Sequence, residues 1–429
     1  MENNQAILVG LHLPGDLQFE ESLAELKELV ASCGYETVSV LVQRGEKPTP
    51  GFLIGRGKVD EIKALLQTTN ADVIIFDQEL SPVHFRNLEA ALEVKVLDRT
   101  MVILEIFEQR AHSPVAKLQV SLARDQYMLP RIIGQFRELS RQRGATSTIG
   151  GPGEQKLELE RRRLHDNIIR DRRALAAIVR QRRVQRKRRS ESGVYVVAIV
   201  GYTNAGKSTL LNRMTAVSRQ ADTQKKKAYE EDRLFATLET AARAIVLDNH
   251  RTFVAVDTVG FVRSMPAHLI AAFRSTLEEI TEADLILHVF DGSSREATVQ
   301  IDVVYQALSD IGVIETPIVY VRNKIDLLGQ NIPPLGFDCV DISALTGAGF
   351  DTLLDVISRQ MDRFYQEVVL CLPYADSALV GQLEIEGRIL SADYGEDVIT
   401  LDAELPKRLL GKYYRYITKT GKIDDYHRS

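Results

Sequence analysis

Along this chain the spacing of apolar positions switches between short runs and helical stripes, and the switches mark out its parts. Short apolar runs at Ala6 to Leu11, Thr37 to Val42, Val73 to Phe76 and Lys95 to Leu97 read as strands. Between them lie patterns such as Phe19, Leu23, Leu26, Val30 and Cys33, spaced by three or four as on one helix face. That alternation predicts a parallel sheet flanked by helices. Two longer stripes follow. The first comprises Val115, Leu118, Leu122, Leu129, Ile132, Ile133, Phe136 and Leu139, with Pro130 expected to interrupt it; the second comprises Leu157, Leu164, Ile168, Leu175 and Ile178. Joined by a glycine loop around Gly150 to Gly153, they predict an antiparallel helical hairpin.

Strand-like runs return at Val194 to Val200, Phe253 to Val256 and Ile318 to Val321, each leading into a polar or glycine-containing segment. Beyond Phe364, Val368 to Leu372, a helical stretch around Ala378 to Ile385, and hairpin strands Arg388 to Ala392 and Val398 to Leu401 form a small unit. The turn residues Tyr394-Gly395-Glu396-Asp397 separate those strands. The expected architecture is α/β and multidomain. It has an N-terminal parallel α/β domain (residues 1–110), a basic helical hairpin (111–190), a P-loop domain with a mostly parallel sheet (191–365) and a C-terminal α+β domain (366–429).

The third part carries the chemistry. Gly201-Tyr202-Thr203-Asn204-Ala205-Gly206-Lys207-Ser208 matches the full phosphate-loop pattern and directly follows a strand-like run. Its glycines let the backbone turn N–H groups and a helix N-terminus toward a phosphate. Lys207 reaches the β- and γ-phosphates, Ser208 ligates Mg²⁺, and the cradle from Asn204 to Thr209 contacts the nucleotide. Base choice is expected at Asn323-Lys324-Ile325-Asp326, because the Asp326 carboxylate can accept from N1–H and the exocyclic amine of guanine, donors that adenine does not present there. GTP is thus preferred over ATP. Ser343-Ala344-Leu345 resembles the loop whose amide supports the guanine 6-oxygen. Asp257-Thr258-Val259-Gly260 would set Asp257 near Mg²⁺ and the Gly260 amide on the γ-phosphate, and Thr237 in Leu234-Phe235-Ala236-Thr237-Leu238 would complete the metal shell. Lys207, Thr237 and Gly260 are the catalytic candidates. Phe261 stands where Ras-like proteins place the glutamine that orients the attacking water, which a phenyl ring cannot do. Asn204 is open to two readings: a potassium ligand, as in GTPases with a hydrophobic residue after this glycine, or a loop-stabilising side chain.

Composition changes this picture in one place. The 429-residue chain has a formal charge of −5, so no global basicity announces a nucleic-acid partner. Yet Arg161, Arg162, Arg163, Arg172 and Arg173 belong to a dense run of arginines in the second helical stripe, interrupted chiefly by Asp166 and Asp171. Arginine suits phosphate contacts and base stacking, whereas the plainer alternative is a solvated helix face. Cys33, Cys339 and Cys371 lack metal-ligand spacing and fit reduced thiols. The first residues lack the charged flank and apolar core of a signal peptide, and no apolar run nears the ~20 residues a membrane span requires. A cytoplasmic, monomeric protein is expected.

The residues resemble the HflX branch of the Obg-HflX GTPases over most of the chain. The resemblance rests on the nucleotide motifs, Leu234 to Leu238, Phe261, and Gly150-Gly151-Pro152-Gly153-Glu154 followed by Leu157 and Arg161 to Arg163. It implies a ribosome-associated GTPase that binds the large subunit, through ribosomal RNA and proteins, and splits ribosomes, especially under stress. One departure is Ala221 to Tyr229, longer and more basic at Lys225 to Lys227 than expected for a first switch. Two other readings stand beside it. One is a regulatory switch for a protein effector. The other is an RNA-remodelling nucleotidase using ATP at Gly55-Arg56-Gly57-Lys58, a segment that otherwise reads as a tight turn before a helix.

Overall fold

The computed structural model describes residues 4–142, 152–191, 194–218, 241–249, 251–263, 280–313, 315–329 and 336–420, which belong to two compact units. In the first, β1 (Asn4–His12), β2 (Tyr35–Arg44), β3 (Val73–Phe76) and β4 (Lys95–Asp98) form a sheet in the order β2-β1-β3-β4, parallel throughout. Every residue of β3 is buried, which is why the run is apolar without alternation. Helices α1 (Phe19–Ser32), α2 (Arg56–Thr69), α3 (Pro82–Leu92) and α4 (Arg99–Arg110) make the connections. The expected stripe on α1 is buried at Phe19, Leu23, Leu26 and Val30, while Cys33 lies just past the helix end. Gly55 caps α2 and donates its N–H to Gln43 Oε1 at 2.9 Å, and Lys58 pairs with Glu61 at 2.7 Å. This is the tight turn before a helix.

The two long stripes become α5 (Pro114–Gln142) and α6 (Pro152–Glu191). Leu122, Ile168 and Leu175 bury together with Val115, Leu118 and Leu129 packed against them, so the stripes face each other as expected. Pro130 does not interrupt the first stripe; α5 runs through it. The anchoring of its neighbours explains the continuity. Arg131 donates to the Tyr127 carbonyl at 2.8 Å and to the Leu80 carbonyl at 2.7 Å, fixing the turn that holds Pro130 even though the proline leaves the Gln126 carbonyl without its helical donor. Both Tyr127 and Arg131 also bond the carboxylate of Asp98, which is fully buried at the end of β4. Asp98 further accepts from the backbone N–H groups of Leu80 and Met101, each at 3.0 Å. A buried carboxylate is tolerable only when so satisfied. Here it ties the hairpin to the sheet.

In the second unit, β5 (Tyr195–Gly201), β6 (Ala241–Val246), β7 (Thr252–Asp257), β8 (Leu285–Asp291), β9 (Ile318–Asn323) and β10 (Val340–Asp341) form a sheet in the order β10-β9-β8-β5-β7-β6. Only the β6–β7 pairing is antiparallel. Helices α7 (Lys207–Val217), α8 (Ala297–Asp310) and α9 (Phe350–Gln360) pack on it. A second, antiparallel sheet is ordered β12-β13-β11-β14, from β11 (Tyr365–Pro373), β12 (Arg388–Tyr394), β13 (Val398–Pro406) and β14 (Ile417–Thr420). α10 (Ala378–Glu386) covers it through Leu383. Tyr413 is core, Tyr416 donates to Asp376 at 2.9 Å, and Tyr414 is exposed. Arg251 joins the two sheets: it bonds Asp362 at 2.5 Å, pairs with Glu404 and lies over the Tyr365 ring.

His288, on β8, is 1% exposed, and neither ring nitrogen has a hydrogen-bond partner among the described residues. Burial, aided by the charge of Lys207, pushes its pKa down to about 4. The unfolded chain takes up this proton near pH ~6.5. Between those values the unfolded state binds more protons, so stability falls as pH drops from about 6.5 to about 4. Replacing His288 with Leu is expected to remove roughly 3 kcal/mol of the stability difference between neutral pH and the acid end of that window. Urea unfolding at the two pH values measures it; an unchanged difference would exonerate His288.

Candidate functional site

Loops leaving the C-terminal ends of β5, β7, β9 and β10 converge at one edge of the sheet, where open α/β folds place ligands. After β5 the chain turns through Asn204, at φ 60°, and Gly206, at φ 90°, before α7 starts at Lys207. No side chain caps that helix, which leaves its first N–H groups for an anion. Lys207 is 7% exposed and donates from Nζ to the Tyr202 carbonyl at 2.7 Å. Burial pushes its pKa down to about 8, against the pull of Asp257. The next residue, Ser208, donates from Oγ to Asp257 Oδ2 at 2.8 Å, and Asp257 is fully buried at the end of β7. Thr209 is half-buried on the same helical turn.

Beyond β7, Thr258 fixes the chain by donating to the Ile199 carbonyl at 2.8 Å. Gly260 then passes so close to the phosphate loop that a Cβ there would stand 3.0 Å from Lys207 Nζ. Phe261 closes that wall. Its N–H donates to the Gly201 carbonyl at 3.2 Å, and its carbonyl accepts from Thr203 N–H at 2.8 Å. The ring is 4% exposed. The residue that replaces a water-orienting glutamine is therefore a core residue whose backbone is stitched to the phosphate loop.

On the other side Asn323, 2% exposed, donates from Nδ2 to the Ala205 carbonyl and accepts at Oδ1 from Ala344 N–H, both at 2.8 Å. A Cβ on Gly206 would lie 2.2 Å from that Nδ2. Lys324, in the left-handed region at φ 61°, pairs with Asp291 at 2.8 Å. Asp326 follows, exposed on a short 3₁₀ turn. Ser343 is buried, and its hydroxyl accepts from Thr346 N–H at 3.1 Å. The structure thus gathers Ala205, Gly206, Lys207, Ser208, Asp257, Gly260, Asn323 and Ala344 at one place, with Asn204, Lys324, Asp326 and Ser343 on the same loops. Thr237 and Lys225 to Lys227 lie outside the described residues. Asp291 escaped the sequence reading; its signal was an acidic residue ending the apolar run Leu285 to Phe290, an unclaimed strand.

The chain is similar to known proteins over most of its length. A curated relative from Caldanaerobacter subterraneus, GTPase HflX, is 42% identical over 405 residues, covering 94% of this chain and 91% of the relative. The chain belongs to the HflX family of GTPases. The Escherichia coli GTPase HflX is 38% identical over 381 residues and 87% of each chain. Family models for the GTP-binding GTPase N-terminal region, the GTP-binding GTPase middle region and the 50S ribosome-binding GTPase match residues 20–108, 110–189 and 196–324. A solved GTP-binding protein from Sulfolobus solfataricus in complex with GDP aligns over 83% of this chain and 99% of that one, at 24% identity and a TM-score of 0.41.

As an HflX GTPase the chain binds GTP and hydrolyses it. Replacing Asn323 with Ala would leave the Ala205 carbonyl and the Ala344 N–H without their partner, each worth about 1–3 kcal/mol. Loss of roughly 2–4 kcal/mol of stability and a GDP affinity reduced at least about tenfold are expected. Chemical unfolding and calorimetric titration measure both; intact GDP binding would show that the two loops hold themselves.

Proposed function

We propose that this HflX GTPase is a GTP-driven switch that binds the large ribosomal subunit, through ribosomal RNA and proteins, and splits or recycles ribosomes under stress, as a monomer in the cytoplasm. The supporting observation is the arginine-covered face of α6: Arg162, Arg163, Arg172 and Arg173 are exposed and Arg161 partly so, while Ile168 and Leu175 of the apolar stripe on the same helix are buried. Only Arg161 and Arg162 of these are paired with a described acid, Glu158. The description of the nucleotide-domain family as ribosome-binding supports the choice of partner. None of the described helices is long and apolar enough to cross a membrane. The work divides over residues 1–110 and 111–190, which would engage the subunit, 191–365, which would bind the nucleotide, and 366–429.

Ser208 and Asp257 offer a hydroxyl and a carboxylate side by side, a hard-oxygen pair that fits Mg²⁺, with Thr237 as a third ligand. When bound, that ion would neutralise charge on the β- and γ-phosphates. The chain's own residues supply the rest. Lys207 would exchange the Tyr202 carbonyl for phosphate oxygens, and the amides of Ala205 to Thr209 and Gly260 would hold the γ-phosphate as its charge spreads. Asp326 would accept from the guanine N1–H and amine, and the loop at Ser343 and Ala344 would support its 6-oxygen. Asn204 holds its side chain exposed at the rim, where a carboxamide oxygen would take K⁺.

Steady-state GTP hydrolysis, with and without large ribosomal subunits and in potassium or sodium buffer, tests the switch. A rate that rises severalfold with subunits, and further with potassium, is the expected result. Charge reversal at Arg162, Arg163, Arg172 and Arg173 should abolish the subunit response but spare the basal rate, whereas Lys207→Ala should abolish tight GTP binding. A response that survives charge reversal would move the partner site elsewhere, and ATP turnover surviving Lys207→Ala would favour a nucleotidase at Gly55 to Lys58.

A further inference from the structure

Arg213 lies on α7, six residues beyond Lys207, yet its guanidinium reaches the far side of the site. Nε donates to the Ala344 carbonyl at 2.7 Å and Nη2 to the Leu345 carbonyl at 2.6 Å. Two consecutive peptide carbonyls are thus held by one planar fork, a geometry that a lysine ammonium cannot reproduce. Gly347, at φ 94°, completes the seat: a Cβ there would lie 2.5 Å from Arg213 Nη1. The segment needs such a clamp because its side chains give it little anchorage. Leu345 is 73% exposed; its neighbours are tied back by the Ser343–Gly347 and Ser343–Ala348 backbone bonds, by Asn323 at the Ala344 N–H and by the Ser343 hydroxyl at the Thr346 N–H, but none of these holds the Ala344 or Leu345 carbonyl.

We infer that Arg213 is a positioning residue for guanine selection. It fixes the carbonyl of the Ala344–Leu345 peptide and that of the next one, and so sets the plane of the Ala344–Leu345 peptide and aims its N–H, that of Leu345, at the 6-oxygen of the base while the Ala344 N–H stays with Asn323. The inference rests on reading Asn323, Asp326 and Ser343 to Leu345 as the base site. It adds that the helix launched by the phosphate loop itself orders the base-reading loop.

The test is the affinity of the full chain and its Arg213→Ala variant for GDP, inosine diphosphate and 6-thioguanosine diphosphate. The first two carry a 6-oxygen; the third keeps N1–H and the amine but presents a sulfur, a weak acceptor. Arg213→Ala should weaken GDP and inosine diphosphate together, by about tenfold, and the sulfur analogue by less than about threefold. KM for GTP should rise with kcat at saturation unchanged. Equal loss for all three nucleotides, or no loss of GDP affinity, overturns the inference. Should Arg213→Ala not fold, Arg213→Gln carries the same comparison. Asp326→Asn separates the two levels, since its amide can donate to the 2-oxygen of xanthine. If it exchanges GDP for xanthosine diphosphate while Arg213→Ala is silent, only this inference fails; if it leaves GDP affinity intact, the base-site reading fails.

Discussion

The nucleotide half depends on one buried carboxamide. Asn323 sits at the end of a strand inside the sheet, so its position is set by the β8–β9 pairing rather than by any loop. From there a single planar group offers a donor to the phosphate loop at Ala205 and an acceptor to the base-side loop at Ala344. An aspartate of the same shape would offer two acceptors and face the Ala205 carbonyl with like polarity, leaving a buried acceptor unmade at about 1–3 kcal/mol. Gly206 leaves no space between that amide and the loop. The phosphate loop and the loop proposed to read the base are therefore held in one register, although the residues involved are far apart in sequence.

The sequence made the strands of the first unit legible because a strand buried on both faces must be apolar, and Val73 to Phe76 is buried throughout. It made the hairpin legible because two stripes of matching period can bury only against each other. What it concealed were features fixed by partners. Ile417 to Thr420 carries no apolar run of its own and is a strand only because it pairs with β11. Leu285 to Asp291 is interrupted by His288, a residue that reads as polar but lies within the core. Pro130 reads as a break, yet the helix runs through it, with Tyr127 and Arg131 on either side bound to Asp98.

The nucleotide residues were legible for a different reason. Phosphate, metal and guanine each demand particular donor and acceptor types, so Lys207, Ser208, Asp257, Asn323 and Asp326 announce themselves by chemistry. Their supports do not. Asp291, Arg213 and the Tyr202 carbonyl act through distances that only the sheet register creates. A positioning group can be of almost any polar type, and so it leaves no compositional mark.

Lys207 shows how far the chain prepares its site and where that preparation ends. An ammonium buried to this degree has its charged form disfavoured, which is why its pKa sits near 8 although, among the described residues, the Tyr202 carbonyl accepts from it and Asp257 is a counter-charge. A phosphate arriving there meets a cation already stripped of water, in a setting where the attraction is strong and little reorganisation is required. Phe261, by contrast, gives its two backbone groups to Gly201 and Thr203 and buries its ring, so this wall presents no side-chain acceptor to an attacking water. Charge stabilisation is built in, but water positioning is not built into this wall. Among the described residues the site thus stabilises charge without orienting the water through Phe261, the division of labour on which the switch proposed above relies.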